Sequence, residues 1–253
     1  MDLENTEDGI VERINPLTVP PGILSVHSVR YEFAAPFCAG KKTLDIACGA
    51  GYGTALLADT AFSVVGGDAD DGAIEFARAH YARVNATFDK MDALHMAFPN
   101  STFDSVVSFE TIEHLSDRDA FLAEVTRVLS GDGVFIVSTP LVPVTNNRPA
   151  NSHHFVEYSL ADFDGLLRKY FREVDLYGQM RVQSGAHRVL QALDVFGIRH
   201  RIPSVLRKRA TRALATVPYE DMDTSSQVIV KGRFDRAHDM VAVCRIPVTT
   251  GSR

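Results

Sequence analysis

Short apolar runs and helical patterns alternate regularly along residues 41–140, and this alternation predicts the fold class. β-prone runs occur at 42–47 (KTLDIA), 62–67 (FSVVGG), 86–89, 103–109 (FDSVVSF) and 133–139 (GVFIVST). Between them, Ile74, Ala77, Tyr81 and Val84 recur at helical spacing and predict a helix over 72–84. Phe121, Leu122, Val125, Val128 and Leu129 form one stripe of a second helix over 117–130, with Gly131 as its stop. Ahead of the first run, Pro16, Pro20, Pro21 and Gly22 read as an arm leading into a helix at 27–38. Strands alternating with helices imply right-handed crossovers. The expected fold is α/β and doubly wound: a mostly parallel seven-stranded sheet with an antiparallel last strand and helices on both faces.

After residue 140 the pattern changes. LVPVTNNRPANSHHF (141–155) reads as a loop, and Ser159 caps a helix running to Phe171 with Phe163, Leu166, Leu167 and Tyr170 inward. A strand is expected at 172–178, a locally basic helical stretch at 187–216, and two further strands at 226–231 and 239–246. The expected organisation is one domain over 1–253: an arm and cap helix (1–40), a core (41–180), a helical insertion (181–225) and closing strands (226–253).

Composition narrows the partners. The formal net charge is -6, so nucleic acid is disfavoured, because phosphate binders carry a basic footprint. The basic residues of 199–212 read as a solvated helix face, with an anionic ligand or membrane surface as the alternative. Cys38, Cys48 and Cys244 lie far apart with no CxxC, which indicates neither a disulfide framework nor a zinc knuckle. The polar, acidic start and the lack of a long apolar run predict a cytoplasmic protein without a membrane span. Oligomeric state has no signature in the sequence.

The candidate chemistry begins at LDIACGAGYG (44–53). A buried strand here meets a loop in which Gly49, Gly51 and Gly53 let backbone amides approach a ligand. Asp68, 19 residues after Gly49, falls at the end of the second strand, where doubly wound folds hold a ribose diol. Asp92 follows the third strand, within reach of an adenine. Three features at successive strand ends point to an adenosine cofactor. A dinucleotide fingerprint requires glycine at 54, where this chain has Thr, and Asp45 inside the first strand would repel phosphate. That carboxylate suits the ammonium and sulfonium of S-adenosylmethionine.

These motifs, with VVGGDADDGAIEFA, MDALHMAF, FDSVVSFETIEHL, FLAEVTRVLSGDGVFIVSTP and HFVEYSLADF, resemble the class I S-adenosylmethionine-dependent methyltransferases. The likeness is to the small-molecule branch of ubiquinone-type and sugar- or natural-product-modifying enzymes, and it covers about residues 27–180 and the final strand. It implies that Asp45, Ala47 and the Gly49–Gly53 loop hold the methionine end of the cofactor. It further implies Asp68 on the ribose with Ala69 beside the adenine, Asp92 and Ala93 at the adenine amino group, and Ser108, Phe109 and Glu110 along the methyl side. His27, Arg30 and Tyr31 belong to a helix that closes over the cofactor, with Tyr31 or Arg30 at its carboxylate. Gly67 departs from the pattern, which usually has a β-branched residue before the acid.

A hydroxyl acceptor requires a base, and ETIEHL offers Glu110, Glu113 and His114. On a short helix Glu110 and His114 would share one face as i,i+4 neighbours; the alternative is structural, with Glu113 exposed. In ANSHHFVEY, His153 and His154 are further candidates, His154 foremost, with Glu157 and Tyr158 beside them. Adjacent histidines on extended chain point apart, so no metal is expected. The acceptor is expected to be a small molecule, methylated on oxygen or nitrogen. A nicotinamide-dependent oxidoreductase and a non-catalytic cofactor-binding subunit are the alternatives.

Overall fold

One eight-stranded sheet organises the computed structural model, which describes residues 17–182 and 224–248. In chain order the elements are α1 (Pro21–Cys38), β1 (Lys42–Ile46), α2 (Tyr52–Leu57), β2 (Ser63–Asp68), α3 (Asp71–Tyr81), β3 (Ala86–Lys90) and β4 (Phe103–Phe109). There follow α4 (Arg118–Val128), β5 (Leu129–Pro140), α5 (Leu160–Leu167), β6 (Phe171–Arg181), β7 (Gln227–Lys231) and β8 (Asp239–Pro247). The strand order is β3-β2-β1-β4-β5-β8-β6-β7. Pairs from β3 to β5 are parallel, whereas β8 enters antiparallel between β5 and β6, and β7 pairs antiparallel with β6. The sheet thus has one strand more than the expected seven, because 227–231 joins it as well as the last run. The chain reverses direction across the sheet between β1 and β4. The tips of those two strands therefore frame the crevice in which open α/β sheets take ligands.

Alternation within each buried strand splits the core between two faces. Leu44, Ile46, Val106, Phe135 and Val137 meet α4 and α5 through Phe121, Val125, Phe163 and Leu167. Val107, Ile136, Val241 and Val243 face the other way, toward Tyr31 and Ala34 of α1 and Leu57 of α2. Each such side chain contributes about 1.5–3 kcal/mol on burial. All three cysteines are free thiols inside this core. No helix among the described residues is long and apolar enough to cross a membrane.

Several element ends differ from expectation for local reasons. α1 begins at Pro21, not near 27, because proline at the first helical position is preset for the helix and leaves no needed N–H missing. Pro20 and Pro21, read as part of the arm, are thus the helix start. Asp70 caps α3 by accepting from the Ala73 amide, and the helix ends before Val84, which is fully exposed and outside the stripe. Gly131 is not a helix stop: Leu129 is already extended at ψ 139°, and β5 begins there. Ser159 caps α5, but Phe171 is taken by β6 and the helix ends at Leu167. The expected arm before Leu17 and nearly all of the expected insertion, including the basic stretch 199–212, lie outside the described residues.

Candidate active site

The site is built where β1, β2, β3 and β4 end. After β1 the chain turns sharply through Ala47 at φ 61°, Gly49 at φ 53° and Gly51 at φ 85°. A Cβ on Gly49 would meet nothing within 4 Å, so that side of the loop is open; one on Gly51 would stand 2.6 Å from the Ala77 Cβ. Gly53 is pressed against the Tyr31 ring. Gly49 therefore faces the crevice, while Gly51 and Gly53 let the loop pack on α3 and α1.

Asp68, at the tip of β2, is half-buried and ties the loops together. One of its oxygens accepts from the Gly49 amide at 2.9 Å and the other from the Asp70 amide at 3.0 Å. The neighbouring Gly67 has a local explanation: Met91 fills the space where a side chain would stand, with its nearest atoms 2.8 Å from a built Cβ. Asp92 is exposed and accepts from the Leu94 amide at 2.8 Å, a bond that lowers its pKa. Asp45 is fully buried behind the loop. Thr54 donates to one of its oxygens at 2.6 Å, and the other has no partner. Burial pushes its pKa up to about 7, against the Thr54 hydrogen bond and with help from Asp68.

The β4 side is denser. Glu110 stands at φ 50°, a second non-glycine left-handed residue beside Ala47 on the neighbouring strand tip. Both sit where strained backbone re-aims groups into a site. Ser138 donates its hydroxyl to Glu110 at 2.6 Å, and the Arg30 guanidinium lies 3.6 Å from the other Glu110 oxygen. Arg30, 1% exposed, donates Nε to Gln179 at 2.6 Å and Nη2 to Asp239. This clasp joins α1 to β6 and β8. Burial raises the Glu110 pKa, opposed by Arg30. For Asp239 burial also acts upward, but Arg30 and His238 outweigh it and the pKa falls. His27 is lowered to about 3 by burial and by Arg30.

The short helix Ile112–His114 turns Glu113 inward, fully buried, rather than to solvent. Thr139 donates to one of its oxygens at 3.1 Å, and the other has no partner. Burial and the adjacent Glu110 drive its pKa well up. Glu110 precedes this helix, so it and His114 are not one turn apart on a helix; the His114 ring meets that of His154 edge-on, with centroids 4.6 Å apart.

One cavity of about 480 Å³ connects these parts. Of the expected residues, His27, Arg30, Tyr31, Ala47, Gly49, Asp68, Ala69, Asp92, Ala93, Phe109, Glu110 and His114 line it. Asp45, Gly51, Gly53, Ser108, Glu113 and His154 do not line it. Sequence reasoning missed Gln179 and Asp239. Asp239 has a faint signal as a lone acid heading the run MVAVC, but no spacing rule connects it to Arg30.

The chain matches the family model described as a methyltransferase domain over residues 44–137. It is 36% identical over 198 residues to a protein of Mycolicibacterium smegmatis described as a probable S-adenosylmethionine-dependent methyltransferase, covering 77% of this chain and 73% of that one. It is 35% identical over 108 residues to a ubiquinone biosynthesis O-methyltransferase of Mesorhizobium japonicum, spanning 42% of this chain and 43% of the relative. Among solved structures, a TehB-like SAM-dependent methyltransferase from Corynebacterium glutamicum superposes with a TM-score of 0.51 over 87% of each chain. At 15% identity that likeness speaks for the fold alone.

Proposed function

The chain belongs to the S-adenosylmethionine-dependent methyltransferases, and on that premise we propose that it methylates an oxygen or nitrogen of a small molecule such as a sugar or natural-product scaffold. The observation that carries this reading is the continuity of the cavity. It runs from Asp68 and Asp92 past Phe109 and Glu110 to His114 and Phe155, with a volume in the range of small-ligand sites. The residues fit the cofactor. Gly49 keeps its side of the loop clear, Asp68 stands at the rim for a ribose diol, and Asp92 with the Ala93 amide stands at the adenine position. When bound, S-adenosylmethionine supplies an electrophilic methyl group on a positively charged sulfur.

The chain's own contribution is alignment and exclusion of water. Tyr31 and Phe109, ring centroids 5.0 Å apart, wall the middle of the cavity with apolar surface. Positioning of this kind supplies a large share of the rate in displacements, with effective molarities of roughly 10⁵ M or more. Glu113, His114 and His154 form the group at the acceptor end, where a hydroxyl has to lose its proton.

Two measurements test the reading. Calorimetry with S-adenosylhomocysteine is expected to show one site per chain. Protein incubated with methyl-labelled S-adenosylmethionine and fractionated cell extract is expected to place the label in the low-mass fraction. Label confined to RNA or protein would overturn the small-molecule acceptor.

A further inference from the structure

We propose that Glu113, His114 and His154 bind a divalent transition-metal ion at the acceptor end of the cavity. One ligand atom from each, an imidazole nitrogen or a carboxylate oxygen, lies within 4.8 Å of the other two. Ligands held about 2.1 Å from one ion stand roughly 3–3.5 Å apart, so small side-chain rotations complete the set. The sequence argument against a metal considered His153 with His154. The fold instead brings His154 to His114, because the loop after β5 returns across β4 and the Phe155 amide donates to the Glu113 carbonyl at 2.8 Å.

Three features separate this cluster from a chance meeting of polar groups. The His114 Nδ1 lies 3.1 Å from the His153 carbonyl oxygen, which can only accept, so Nδ1 carries the proton and the lone pair is on Nε2. The His154 Nδ1 lies 3.0 Å from Glu157 Oε1, and a carboxylate partner fixes the same tautomer. Such outer hydrogen bonds orient histidine ligands and raise their basicity. The third feature is Glu113: it is 0% exposed, with one carboxylate oxygen lacking any partner. A buried carboxylate with an orphaned oxygen is costly, and a cation offsets that cost. Two imidazoles and one carboxylate suit zinc, manganese, iron or cobalt better than magnesium or calcium.

The site assigns a role as well as an occupant. His114 lines the cavity, so an ion it holds has its remaining positions toward the acceptor. There it would bind the acceptor oxygen and lower its pKa, the hydroxyl proton leaving to water, which selects an oxygen over a nitrogen acceptor. That role rests on the methyltransferase reading, whereas ion binding does not.

The test uses the full chain, stripped with a chelator and titrated with Zn²⁺, Mn²⁺ or Co²⁺ alone. Expected are close to one ion per chain by elemental analysis and visible d–d absorption from the Co²⁺ form. His114→Ala and His154→Ala should each abolish stoichiometric uptake, and Glu157→Gln should weaken it by about 10–100-fold. A cooperative melt and a wild-type far-ultraviolet circular dichroism spectrum in each variant establish that the fold is intact. Should a variant fail these controls, Glu157→Gln, which removes no ligand, decides by its affinity alone. Wild-type protein that takes up no ion, or variants that take up as much as wild type, would overturn the proposal. Homocysteine-nucleoside binding without ion uptake sinks the metal site and leaves the methyltransferase reading standing; the converse result separates them the other way.

Discussion

The two sides of the crevice use the same material, acids at the tips of parallel strands, in opposite surroundings. On the β2–β3 side, Asp68 and Asp92 accept from backbone amides of their own or the adjoining loop, and Asp92 is 62% exposed. On the β4–β5 side, Glu110 and Glu113 are drawn inward against Ser138, Thr139 and Arg30, and burial raises both. The first arrangement leaves the carboxylates at the rim of the cavity, within reach of a nucleoside. The second penalises charge by burial, and the fixed cation of Arg30 opposes that penalty at Glu110. Equal positions at strand ends therefore do not mean equal chemistry; the packing behind each tip sets it.

The contrast can be broken most severely at Arg30. Arg30→Ala leaves Asp239 and Glu110 inside the protein without their cation, and such losses cost about 3–5 kcal/mol. Urea unfolding is expected to show a correspondingly lower midpoint, with Arg30→Lys recovering part of the loss. A midpoint equal to wild type would mean that the clasp is not structural.

Asp45 sharpens the same point through pH. Its pKa in the fold is about 7, above the usual carboxylate value. Below that usual value both folded and unfolded chains hold the proton, and Asp45 contributes nothing to pH dependence. Between there and pH 7 the unfolded chain has released the proton while the fold retains it, so native stability falls as pH rises; above 7 the loss is constant. Asp45→Asn removes this slope. The variant should gain on wild type by on the order of 2–4 kcal/mol between pH 4 and 7.5. A difference independent of pH would show that Asp45 is ionised throughout.

The smallest effect belongs to the open side. Asp68→Ala should weaken S-adenosylhomocysteine binding by about 1–3 kcal/mol in calorimetry, the cost of stranding hydrogen-bonding partners. It should disturb folding much less than Arg30→Ala, since Asp68 is only half-buried. Unaltered affinity would reduce Asp68 to a tie between two loops.

Legibility in the sequence follows the same division. Strands β1 to β5, the capping role of Ser159, and the cavity positions of Gly49, Asp68 and Asp92 all follow from patterns spanning about 20 residues or fewer. Each strand tip is joined directly to the loop that completes it. The Arg30 clasp draws on residues 149 and 209 positions away, and nothing in local spacing encodes such a meeting. Glu113 shows the other limit. Its place after β4 was readable, but its inward orientation depends on a 3-10 turn and on the returning loop at 153–156. His154 stands beside His153 in the sequence, whereas the ring it meets belongs to His114, in the short helix after β4.

The clasp also sets an order of assembly. Once β5 has left the ribosome, every strand of the parallel half is free to pair. Arg30 at that moment has Glu110 beside it but neither Gln179 of β6 nor Asp239 of β8, and α1 rests only on α2 and the parallel strands. Only when Asp239 emerges and β8 slides between β5 and β6 can the roof lock down. The nascent chain thus completes its nucleoside floor first, and keeps the lid undecided until one of its last strands arrives.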